Sequence, residues 1–101
     1  MEMIDYDSRQ PWEDLANEII VQATHDYKGA LKYLHNPKSI DGKWRAITTI
    51  HSINRFFRSH WFTFLTQVDP EYIIEQLWIL HGNDEIKETV NATAIKATER
   101  I

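Results

Sequence analysis

The 101-residue chain contains no cysteine. It can build no disulfide framework, no thiol nucleophile and no cysteine-based zinc site. Glycine and proline are scarce, three of each. With glycines only at 29, 42 and 82, neither G-x-x-x-x-G-K-[ST] nor G-x-G-x-x-G occurs, so the glycine-rich phosphate loops are absent. There is no run of 18 apolar residues, and no basic stretch followed by an apolar one. The expectation is therefore neither a membrane span nor a secretory signal, but a cytoplasmic protein. The length suits one domain over residues 1–101.

What is present argues for a packed core. Hydrophobic residues make up 43% of the chain, and twelve residues are aromatic, four of them Trp. That composition is unlike a disordered segment. The prolines and glycines punctuate helical periodicity. After a polar leader at 1–10, Pro11 opens a segment running to Leu34. Its apolar positions are Trp12, Leu15, Ala16, Ile19, Ile20, Ala23, Tyr27, Ala30, Leu31 and Leu34. Steps of three and four draw one stripe down a helix. Such a helix is about 36 Å long, longer than the ~13 Å radius of gyration of a compact domain would suggest. Packing of part of it against another subunit, in a homo-oligomer, is the expectation. Gly29 within it predicts a close helix crossing.

A second helix is predicted from Ser39 to Arg58, with Ala46, Ile47, Ile50, Ile53, Phe56 and Phe57 on one face. Its β-branched residues make strand a local rival, but the spacing is three and four, not two. Ser59 is positioned to cap a short third helix, His60 to Leu65. Asp69-Pro70-Glu71 is a strong start signal for a fourth helix ending at His81, before Gly82. The tail, residues 83–101, holds Ile86, Val90, Ala94 and Ala97 at helical spacing but is weakly amphipathic; it predicts a marginal helix ordered by a partner. The fold class is all-α: a small bundle of three to four main helices with a long first helix.

The net charge of −4 is unevenly distributed. Residues 1–36 carry three bases and seven acids, as do residues 61–101. Residues 37–60 carry five bases, Lys38, Lys43, Arg45, Arg55 and Arg58, against one acid, Asp41. Trp44, His51 and His60 lie in that basic segment, and Trp61 follows it. Arginine matches phosphate oxygens and aromatic rings stack on bases. Trp44, Arg45, His51, Arg55, Arg58, His60 and Trp61 are therefore candidates for a nucleotide cleft. The competing reading pairs Arg55 and Arg58 with acids of neighbouring helices and puts the rings in the core. At the block after Phe56 it gives a helix-helix corner, where Ser59 caps and Arg58 pairs. Arg58 and Trp61, three apart, share a face only if the helix runs on.

Catalytic patterns are lacking. No two histidines stand four apart as a helical zinc site requires, and no serine sits in a G-x-S-x-G elbow. The expectation is a non-enzyme with no metal and no cofactor. Double-stranded DNA is disfavoured by the acidic balance and by the apolar third helix. Glu13, Asp14, Glu18 and Asp26 form an acidic face on the first helix that can imitate nucleic acid toward a protein partner.

Two blocks carry a resemblance. The first is Asp14-Leu15-Ala16-Asn17-Glu18-Ile19-Ile20-Val21-Gln22-Ala23 with Asp26-Tyr27 and Ala30-Leu31. The second is Phe56-Phe57-Arg58-Ser59-His60-Trp61-Phe62-Thr63-Phe64-Leu65-Thr66 with Asp69-Pro70-Glu71-Tyr72-Ile73-Ile74. Together, over residues 12–78, they resemble small helical proteins of unassigned function from phages and prophages of Gram-positive bacteria. The Ile/Thr-rich run from Ile47 to Ile53 and the tail after Gly82 depart from that pattern. The resemblance implies a phage or prophage origin, action in the host cytoplasm and an anti-defence role. It brings no catalytic residues. The leading expectation is sequestration of a nucleotide-derived immune signal. The alternatives are inhibition of a host defence effector, such as a CRISPR nuclease, by protein-protein contact, and an accessory assembly protein.

Overall fold

Local capping chemistry sets where the helices begin and end. The computed structural model describes the backbone of residues 11–100 and the side chains of residues 13–92. The leader at 1–10 and the side chains of Trp12, Ala94 and Ala97 lie outside the described residues. Five helices follow one another: α1 (Pro11–His35), α2 (Ile40–Phe57), α3 (His60–Leu65), α4 (Pro70–His81) and α5 (Asp84–Arg100). Among the described residues there is no strand. Ser39 Oγ accepts from Gly42 N–H at 2.9 Å and starts α2; Asp69 Oδ1 accepts from Glu71 N–H at 3.0 Å and starts α4. Asn83 does the same for α5, accepting from Ile86 N–H at 2.8 Å.

The core is one cluster drawn from all five helices. Tyr27 and Leu31 come from α1, Ile50 and Phe57 from α2, Phe62 from α3, Leu77 from α4 and Val90 from α5. Phe57 stacks on Tyr27 with ring centroids 6.3 Å apart and meets Phe62 edge-on at 5.4 Å. Burying each ring contributes about 1.5–3 kcal/mol. The bundle is elongated, 56 × 29 × 23 Å, with a radius of gyration of 16.5 Å.

Three expectations are corrected. The tail is no bystander: Ile86 and Val90 are buried in this chain's own core, so α5 is ordered at least in part by α2 and α1. Gly29 marks no crossing, because a Cβ there would meet open space. The tight glycines are Gly42, against Tyr33, and Gly82, against the Trp78 ring. Ser59 precedes α3, but its hydroxyl donates back to the Phe56 carbonyl at 2.7 Å and caps nothing. The α1 stripe is only partly covered within the chain. Ala16, Tyr27, Ala30, Leu31 and Leu34 are buried, whereas Leu15 and Ile19 are 58% and 39% exposed. Phe57, the last residue of α2, stacks on Tyr27. Beyond that level the short α3 packs on α1.

Candidate functional site

Helix α2 breaks after Phe57, and Arg58 and Ser59 turn the chain into α3. The turn is closed by Arg58 N–H to Asn54 O at 3.0 Å and Ser59 N–H to Phe56 O at 3.1 Å. Phe56, Phe57 and Phe62 fill its inside. Arg58 binds Glu71 at the start of α4 through Nε at 2.7 Å and Nη2 at 3.1 Å. Those bonds hold the Glu71 carboxyl below its ordinary pKa and raise that of Arg58. Because the helix breaks, Arg58 and Trp61 do not share a helix face.

The seven residues assigned to a nucleotide cleft are dispersed. Arg45 lines an open groove of about 790 Å³ between α1 and α2, together with His25, Asp26, Tyr33 and Asp41. Arg58 lines a different groove, about 640 Å³, between α2, α4 and α5. His51 donates its Nε2–H to the Val90 carbonyl at 2.9 Å and ties α2 to α5. Trp44, Arg55 and His60 are exposed and line neither groove. The three arginines thus share no common hollow.

The acidic residues divide as well. Glu13, Asp14 and Glu18 lie within the first two turns of α1. Asp26 sits two turns further on, accepts from Gln22 Nε2 at 2.9 Å and belongs to the Arg45 groove.

The surface that stands out is at the α3 end. Trp61 and Phe64 are 71% and 72% exposed, and their rings meet edge-on at 6.3 Å. Phe64 lines a hollow shared with Glu13 and Asn17 of α1. Sequence reasoning named Trp61 but missed Phe64. The spacing held the signal: residues 61 and 64 share one face of a six-residue helix, and 62 and 65 take the other. Leu15 and Val21 of α1 are also exposed, on different faces of that helix.

A second missed feature is a buried polar junction. The Tyr27 hydroxyl donates to Asn54 Oδ1 at 2.9 Å and accepts from Trp78 Nε1 at 2.9 Å. Burial raises the Tyr27 pKa against the opposing pull of those two bonds. The sequence signal was a Tyr at the centre of an apolar stripe, since a buried phenol needs a partner.

Among the described residues, no group of three or more His, Asp or Glu is placed to hold a metal ion. No described helix is long and apolar enough to cross a membrane. Comparison with protein families, with characterised proteins and with solved structures finds no match for this chain.

Proposed function

We propose that the chain is a non-enzymatic binding protein that inhibits a host defence effector by protein-protein contact in the host cytoplasm. The observation that carries this reading is the outward-facing Trp61–Phe64 pair, each ring more than two-thirds exposed. Large rings held on a rigid helix bury area at little entropic cost, and Trp is enriched among the residues that dominate binding energy. Glu13, in the acidic first turn of α1, lines one hollow with Phe64 and suits steering toward a basic partner, such as the nucleic-acid surface of a nuclease. The phage resemblance supports the setting. A nucleotide-derived signal comes second, because Arg45, Arg55 and Arg58 occupy no shared cleft.

The test is a plaque assay in defence-bearing cells that express the chain. Trp61→Ser with Phe64→Ser should abolish protection of the phage, with helical content unchanged in the purified variant. Arg45→Gln should keep protection. A fully protective double variant overturns the proposal. Sedimentation of both forms separates inhibition from self-assembly: a wild-type oligomer that the double variant dissolves would assign the face to a homo-oligomer instead.

A further inference from the structure

The last three turns of α1 meet the end of α4 along a seam rich in positive charge. Lys28, Lys32 and His35 follow one another at spacings of four and three, so they share one face of α1. The His35 Nε2–H donates to the backbone carbonyl of His81 at 2.7 Å and brings the last residue of α4 to that face. A carbonyl only accepts, so the hydrogen of this bond sits on His35 Nε2. Lys28, Lys32 and His35 are exposed and His81 is half-buried.

Lys28 and Lys32 have no ion-pair or hydrogen-bond partner among the described residues. Arg58, by contrast, is paired with Glu71. Like charges one turn apart on a helix repel. Burial first, then the charges of Lys28 and Lys32, hold the His81 pKa below its ordinary value. Behind His35 a hollow is lined by Lys43 of α2 and Glu85 of α5. Glu85 is the single carboxylate lining that hollow, against Lys43 and His35. On a chain of net charge −4, a cationic seam with Glu85 as the one carboxylate in the hollow beside His35 is a local exception.

We propose that this seam binds a small multivalent anion: the phosphoanhydride chain of a nucleotide or of inorganic polyphosphate. From Lys28 to His35 is about 10 Å along the helix, a span that suits several linked phosphates better than one. Lys28 and Lys32 supply point charges to the phosphate oxygens, and the His81 imidazole adds charge as it protonates. The site is independent of the aromatic α3 face: Lys32 lies fifteen residues, about 22 Å, from Asn17 along α1.

The experiment is an NMR titration of the histidine side chains in the full chain with inorganic tripolyphosphate. Saturable shifts of the His35 and His81 signals are expected, with the His81 pKa rising in the complex. Binding should tighten as pH falls through the imidazole range. Lys28→Gln with Lys32→Gln should weaken binding at least tenfold and raise the His81 pKa of the free protein. Arg45→Gln should change neither. ATP binding as tightly as tripolyphosphate, or more tightly, supports the site; the second result adds a contact to the base. The proposal fails if tripolyphosphate at millimolar concentration moves neither histidine, or if the double lysine variant binds like wild type. It fails equally if only a single-stranded oligonucleotide produces the shifts, which would make the seam a nucleic-acid surface.

Discussion

Replacing Tyr27 by Phe deletes one oxygen atom and keeps the ring of a fully buried residue. That oxygen joins three helices. It donates to Asn54 on α2 and accepts from Trp78 on α4, both at 2.9 Å. In Tyr27→Phe an acceptor and a donor lose their partners at once. Each orphaned group costs about 1–3 kcal/mol when buried. Asn54 and Trp78 are half-buried, so water replaces part of the loss. The lower end applies to each, and the expected destabilisation is about 2 kcal/mol. Domains of this size hold only about 5–15 kcal/mol in total. One kcal/mol moves the midpoint by about 4–8 °C at this length, so Tm should fall by roughly 8–16 °C.

Thermal and urea unfolding followed by far-ultraviolet circular dichroism read this directly. The urea slope should stay constant, since the surface exposed on unfolding hardly changes. Tyr33→Phe is the control. The Tyr33 hydroxyl accepts from Lys38 N–H at 3.0 Å in an exposed place, which holds its pKa below the ordinary phenol value. Its loss should lower Tm far less than loss of the Tyr27 hydroxyl, because water takes its place in the bond. A cycle with Trp78→Phe should show non-additivity, because both variants remove the same bond. If Tyr27→Phe lies within about 0.5 kcal/mol of wild type, the junction contributes nothing to holding α1, α2 and α4 together and the reasoning is wrong.

Two further outcomes follow from single side chains. Gly29 lies inside α1 with open space where a Cβ would go, so Gly29→Ala should stabilise the chain by about 0.5–1 kcal/mol; a loss of stability in urea would show a contact that the geometry lacks. Arg58 depresses the Glu71 pKa, so their pair adds stability above the unfolded carboxylate pKa and loses it as pH falls through the folded one. Both side chains are more than half exposed, 53% and 58%, which keeps the contribution under about 1 kcal/mol. Glu71→Gln should therefore be slightly less stable than wild type at neutral pH and equal to it in acid; a gap that persists in acid contradicts the assignment.

Helix boundaries were legible wherever the deciding chemistry is local. Asp69, Pro70 and Gly82 bracket α4 at its observed ends, because each acts on backbone groups within a few residues. Ser59 shows the limit of that logic. It stands at the start of α3, but in the tight turn after Phe57 its hydroxyl bonds to the Phe56 carbonyl instead. The tail shows the opposite limit. Its weak amphipathicity is real, but Ile86 and Val90 suffice once α2 lies alongside, and His51, 39 residues away, adds the bond to the Val90 carbonyl. No window on the tail alone contains that partner.

Charge was the least legible property, because counting by segment ignores which residues fold together. The basic middle of the sequence is one helix, and a helix displays its charges around its whole circumference. Arg45 and Arg58 consequently face different grooves. Lys28 and Lys32 were hidden inside a segment of net −4. Yet they stand one turn apart on one face, and the fold brings His81 to them from the end of another helix. A better sequence rule weighs charges by helical face before summing them along the chain. Applied to α1, that rule separates acids in the first turns from Lys28, Lys32 and His35 in the last. Such a gradient also matches the helix dipole, so capping stability alone would explain a single cation near the end of α1. It does not explain two lysines placed so that they repel each other and lower the affinity of His81 for its proton. That excess charge distinguishes the seam from ordinary helix-end chemistry.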